Sequence, residues 1–138
     1  MTLSLEDRQQ IVDAVNKYAL GYDEADFVLL ADAFCKDATS GGKISNTEAH
    51  WGPMIGRDQI VSGLKDMRMA PHQPRHCITN VFFRSNTQGE AALSAYLTLM
   101  GSDGQARVLS VGRLDIVAKQ EGGVWRIRKL DVTLDAPF

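Results

Sequence analysis

The residues able to move a proton from carbon are few, and the first is His76, in the run Arg75-His76-Cys77-Ile78-Thr79-Asn80. An imidazole titrates near pH 6.5, so it can accept such a proton at neutral pH. A carboxylate bonded to its other ring nitrogen fixes the tautomer and stabilises the imidazolium that forms. Asp23 closes a helical segment and can supply that carboxylate; it can equally cap the helix that follows, or do both. A lone histidine on an apolar strand face can also be a simple packing residue. Tyr18 and Tyr22 lie four apart on one helical face, so their hydroxyls can reach a common space and hold a substrate oxygen. The alternative for each is core packing with the hydroxyl at the rim. Asn80 shares the alternation face of His76 and is a candidate for orienting a substrate. Arg128, with Arg113 and Asp131, alternates on the last strands, where it can ring a pocket mouth or form a surface ion pair. His50 and His72 fall in segments expected to be exposed, and Trp51 and Trp125 are expected in walls or core. No three-ligand metal spacing, phosphate loop, nucleophile elbow or dinucleotide fingerprint occurs, so the expected site uses no metal and no cofactor.

These side chains need elements to carry them. Ser4 followed by Asp7 reads as an N-cap with an acidic first turn. Ile11, Val12, Val15, Tyr18, Ala19 and Tyr22 then recur at helical spacing. Asp23-Glu24-Ala25-Asp26 starts a second helix, with Phe27, Leu30, Ala31 and Phe34 as its stripe and Asp37 at its end. Ser40-Gly41-Gly42 reads as loop, and residues 49–55 suit a short strand despite Pro53. Gly56-Arg57-Asp58 opens a third helix carrying Ile60, Val61, Leu64 and Met67, closed by Pro71 and Pro74. Residues 75–86, 90–101, 106–118 and 124–134 read as four strands separated by the turn-like Asn86-Thr87-Gln88-Gly89, Ser102-Asp103-Gly104 and Glu121-Gly122-Gly123. Three helices followed by an antiparallel meander predict an α+β fold, with the helices on one face of a curved sheet around a pocket. The first two long strands have no clean polar face. Their other side is therefore expected to be covered by a second copy of the chain.

Composition narrows the classes. The 138 residues fit one domain, taken as 1–138, with 44% hydrophobic and 23% charged residues, ordinary for a globular protein. A formal charge of -2 gives no footprint for nucleic acid or anionic membrane. No stretch approaches the ~18 apolar residues of a membrane span. Met1 to Gln10 is polar and acidic where a secretory leader is basic and then apolar. Cys35 and Cys77 are too few and too far apart for a disulfide framework. A reduced, cytoplasmic protein is the expectation.

Several local strings then carry a resemblance. They are Tyr22-Asp23, Phe34-Cys35-Lys36-Asp37-Ala38, Gly56-Arg57-Asp58-Gln59-Ile60, His76-Cys77-Ile78-Thr79-Asn80, Gly112-Arg113 and Gly123-Val124-Trp125-Arg126-Ile127. In this order the chain resembles the SnoaL-like branch of the nuclear transport factor 2-like superfamily, which includes scytalone dehydratase and hexachlorocyclohexane dehydrochlorinase. The resemblance implies a cone-shaped fold and a pocket dyad of Asp23 and His76. It implies a dehydratase-like lyase or isomerase acting on a small hydrophobic cyclic molecule, assembled as a dimer or trimer. Tyr96 stands where scytalone dehydratase carries a second histidine, so the substrate contact there differs. The same fold also implies an alternative, a non-catalytic ligand-binding or subunit-association module like the small β subunit of ring-hydroxylating dioxygenases.

Overall fold

The computed structural model describes residues 2–87 and 89–138; Gln88, in the expected turn at 86–89, lies outside them. The chain opens with α1 (Leu5–Asp23). Ser4 Oγ accepts from the Asp7 N–H and Asp7 Oδ2 accepts from the Ser4 N–H, each at 3.0 Å, so two orphan donors of the first turn are satisfied reciprocally. The Trp125 ring N–H donates to Asp7 Oδ1 at 3.0 Å, which ties this end of α1 to the last strand. Near the other end, Gly21 allows α2 (Phe27–Asp32) to approach: a Cβ at position 21 would sit 2.6 Å from the backbone nitrogen of Leu30.

The second helix is shorter than its apolar stripe predicts. It ends at Asp32, and Phe34–Ile44 is a strand, β1, that takes in the Ser40-Gly41-Gly42 run expected as loop. The physical reason lies across the ladder. At Gly42 any Cβ would overlap the Trp51 ring of the adjoining strand β2 (His50–Ile55), so the glycines mark a close approach rather than a turn. Phe34 and Cys35 are fully buried as strand residues. Pro53 is tolerated because β2 is an edge strand, needing ladder donors on one side only. The third helix, α3 (Arg57–Arg68), begins as expected and buries Ile60 and Leu64.

The remaining strands, β3 (Gln73–Thr87), β4 (Glu90–Ser102), β5 (Ala106–Glu121) and β6 (Val124–Leu134), match the expected segments closely. The sheet order is β2-β1-β6-β5-β4-β3. Every pair is antiparallel except β1 with β6, so the α+β sheet is mixed rather than wholly antiparallel. Register shifts between Thr79 and Phe82, between Leu99 and Met100, and between Val117 and Ala118 bend the long strands. The helices pack on the concave side over Leu93, Leu97, Leu114, Ile116, Ile127 and Leu130. On the convex side Phe82, Tyr96, Val108 and Val111 remain 62%, 58%, 56% and 41% exposed. No helix among the described residues is long and apolar enough to cross a membrane.

Candidate functional site

The end of α1 and the start of β3 bring Asp23 and His76 together. β3 is an edge strand, so it has backbone donors that no neighbouring strand can take. The His76 N–H is satisfied instead by Asp23 Oδ2 at 2.7 Å. The other carboxylate oxygen, Oδ1, lies 2.6 Å from His76 Nδ1. A carboxylate can only accept, so Nδ1 carries the proton and Nε2 keeps its lone pair in the neutral ring. The two side chains are 5% and 7% exposed, Asp23 and His76 respectively. Both carboxylate oxygens are therefore used on one residue, which holds the ring in position as well as in tautomer.

The His76 ring is flanked edge-on by two phenols. Tyr18 and Tyr22 lie with ring centroids 5.6 and 5.0 Å from it, at interplanar angles of 75° and 71°. Burial, then the nearby Tyr22 and Asp23, pushes the Tyr18 hydroxyl well above its ordinary pKa. Burial also raises Tyr22, with Arg68 opposing and Asp23 adding to the rise. Both phenols therefore stay protonated at neutral pH and can act as donors.

His76, Tyr18 and Tyr22 line one cavity of about 220 Å³. Its walls are apolar, from Leu64, Met67, Leu97, Leu99, Leu130 and Val132, with Trp51 and Phe138 packed edge to face at 6.2 Å between centroids. Ser40 also faces it, but its hydroxyl donates to the Leu130 carbonyl at 2.9 Å.

Three expected contacts are not brought to this cavity. Asn80 adopts a positive φ of 56° within the bulge between Thr79 and Phe82. Asparagine tolerates that conformation, and the extra residue reverses the alternation. Val81 and Phe83 then pack inward, while Asn80 and Phe82 are exposed. Tyr96 stands on the convex face opposite Arg113 and Thr79. Arg128 has Nε 2.8 Å from Glu90 Oε2, an ion pair off the hydrogen-bonding direction, at the opposite end of β4 from the Leu99 that pairs with His76. Trp125 is core, as expected, and His50 is exposed. His72 was expected in an exposed segment and instead lines the cavity.

Sequence reasoning missed Arg68 and Gln73. The last turn of α1 contains no basic residue, so its terminal carbonyls need donors from elsewhere. Arg68, ending α3, donates from Nε to the Tyr22 carbonyl and from Nη2 to the Asp23 carbonyl, each at 3.0 Å. Gln73 Nε2 donates to the same Asp23 carbonyl at 2.7 Å. The available signal was a basic residue closing α3, but its partners lie 45 and 46 residues away in sequence.

Elsewhere, Cys35, Asp37 and Glu121 place three potential metal donors within 4.8 Å of one another. Burial first, then the two carboxylates, pushes the Cys35 thiol up to about 11, and Glu121 Oε2 already accepts from the Lys36 N–H at 2.8 Å. A protonated thiol is a poor ligand, and this group does not resemble a built metal centre.

Comparison with known proteins agrees with the architecture. No curated protein matches the chain in sequence. Among solved structures, a Nostoc punctiforme protein of unknown function with a cystatin-like fold is 20% identical, with TM-score 0.83 over 98% of this chain and 96% of that one. A Novosphingobium aromaticivorans protein, provisionally assigned as the β subunit of an aromatic-ring-hydroxylating dioxygenase, is 17% identical, with TM-score 0.77 over 94% and 90%. A Catenulispora acidiphila protein in complex with S-DNPA is 18% identical, with TM-score 0.78 over 95% of each chain. At such identities the likeness is one of fold. The model of the SnoaL-like domain family matches residues 3–131, and with that span of agreement the chain belongs to the SnoaL-like family of the nuclear transport factor 2-like fold.

Proposed function

We propose that residues 1–138 act as one SnoaL-like domain, a lyase or isomerase for a small hydrophobic cyclic molecule. The observation that carries this reading is the buried Asp23–His76 pair, with the imidazole on the wall of an apolar cavity. Asp23 holds the Nδ1 proton, so Nε2 is the base that takes a proton from a ring carbon. The imidazolium formed is stabilised by the carboxylate behind it. The proton then returns to a second carbon, or assists departure of a hydroxyl or other leaving group from the adjacent carbon. Tyr22 and Tyr18, kept protonated, are placed to donate to a substrate oxygen. Neither step calls for a cofactor.

The experiment is isotope exchange. The purified protein is incubated in D₂O with small bicyclic ketones, 1-indanone and 2-tetralone, and deuterium entry beside the carbonyl is followed by NMR. Exchange above the buffer rate, lost in His76→Ala, is the expected outcome. Equal rates for wild type, His76→Ala and buffer would discard proton abstraction.

The exposed apolar convex face favours a second reading, in which the chain serves as a subunit-association module. The structural likeness to a dioxygenase β subunit supports it as well. Both readings include assembly through that face, and we take its occupant to be a second copy of the chain, in a dimer or trimer.

A further inference from the structure

Among the described residues, Arg68 is the one lysine or arginine lining the cavity. Its Nε and Nη2 are used on the carbonyls of Tyr22 and Asp23 and, at 3.3 Å, on Gln73 Oε1. All three acceptors are neutral oxygens. Among the described residues no carboxylate forms an ion pair with Arg68, and Nη1 has no hydrogen-bond partner. A part-buried guanidinium beside apolar walls, with a donor to spare and no carboxylate in ion-pair contact among the described residues, favours an oxygen-bearing ligand.

Proton abstraction from carbon creates the same demand. When Nε2 of His76 takes the proton, the C–H electron pair moves into a new carbon–carbon double bond. The carbonyl π pair then moves onto oxygen, giving an enolate. That oxygen gains nearly a full negative charge and needs a preorganised donor. Ser40 cannot serve, since its proton is engaged by the Leu130 carbonyl. The tyrosines are neutral donors. Arg68 alone brings a fixed positive charge, and it is anchored on the backbone of Tyr22 and Asp23, the residues that position the base.

We propose that Arg68 determines specificity by receiving a carbonyl oxygen, so that the substrates are small cyclic ketones or enones rather than hydrocarbons or halocarbons. This rests on the proton-abstraction reading. The guanidinium carries the enolate charge while the imidazolium holds the proton. Return of that proton to a different carbon completes an isomerisation. Loss of a group from the β carbon, which takes up its bonding pair as the carbonyl re-forms, completes an elimination.

The test compares two probes of nearly equal shape, 1-indanone and indane, by calorimetric titration of the full chain. A purely apolar cavity favours indane, the less hydrated of the two. With the charged donor of Arg68 in its lining, 1-indanone binds about tenfold tighter to the wild type. Arg68→Met reverses the order and leaves indane binding within about twofold. If Arg68→Met does not fold, Arg68→Gln, which keeps an amide donor for the carbonyls but no charge, gives the same reversal. Gln73→Leu, which loosens the α1 end yet spares the charge, keeps the ketone preference. His76→Ala also keeps that preference while losing deuterium exchange. Tighter binding of indane to the wild type, an unchanged preference in both Arg68 variants, or no binding of either probe overturns the proposal. Exchange lost in His76→Ala beside a wild type that prefers indane overturns this inference alone and leaves proton abstraction standing.

Discussion

At the scale of residues, the site depends on one carboxylate making two bonds to one neighbour. Asp23 meets both the backbone N–H and the ring Nδ1 of His76, at 2.7 and 2.6 Å. An amide in its place offers one acceptor where two donors converge, so one contact becomes a clash between donors. Asp23→Asn is therefore expected to lower the rate of deuterium exchange by about 100-fold or more, and His76→Ala to lose about 100- to 10,000-fold. Circular dichroism should show both variants folded. A rate within about twofold of wild type in both would make the pair structural. The meeting of His76, Asp23 and the two tyrosines was legible in the sequence because each combines a distinctive residue type with a predictable element. Asn80 was misplaced because period-two alternation cannot anticipate a bulge, and here one positive φ reverses the faces of β3. Arg68 was overlooked because a basic residue closing α3 gives no hint of its partners, two main-chain carbonyls of another helix and the Gln73 side chain.

At the scale of elements, what holds the site is the closeness of α1 to α2 and the ties from both to the sheet. Gly21 is the contact point, and Gly21→Ala drives a Cβ to within 2.6–2.9 Å of Leu30 backbone and side-chain atoms. Urea unfolding should show a loss of about 1–3 kcal/mol. A change below about 0.5 kcal/mol would mean that the helices separate freely. Asp32, ending α2, is bonded by Lys17 Nζ at 2.6 Å and by Arg126 Nη2 at 3.1 Å. The Lys17 bond first, then that from Arg126, holds its carboxyl below the usual aspartate range. Its folded pKa is depressed, so its contribution is present above the unfolded value of about 3.9 and is lost as pH falls through the lower folded value. Asp32→Asn should flatten stability against pH in that acid window and leave the slope near neutrality unchanged. The contribution is small, since both Lys17 and Asp32 are partly exposed. The sequence showed α1, α3 and the four long strands through their periodicity. It concealed β1, because glycine beside serine usually means a turn, whereas here the glycines make room for the Trp51 ring.

At the scale of the whole molecule, a curved sheet with helices on its concave side leaves the convex side uncovered. Phe82, Tyr96, Val108 and Val111 are exposed there, and a partner burying roughly 800 Å² per copy would cover such a patch. Sedimentation at micromolar concentration should show a dimer or trimer. The double variant Phe82→Glu, Tyr96→Glu should be a monomer that still binds 1-indanone, because neither residue lines the cavity. A wild-type monomer would remove assembly from the account. A monomeric variant that had lost the probe would instead mean that the cavity needs the second copy for its shape.

The chemistry of the site depends on Asp23 leaving Nε2 of His76 as an unprotonated base. The direct measurement is ¹⁵N NMR of the imidazole nitrogens in ligand-free protein, at a pH where the ring is neutral. A protonated Nδ1 and a bare Nε2 are expected in the wild type, with the single tautomer lost in Asp23→Asn. A neutral ring carrying its proton on Nε2, with Nδ1 bare beside Asp23, would contradict it.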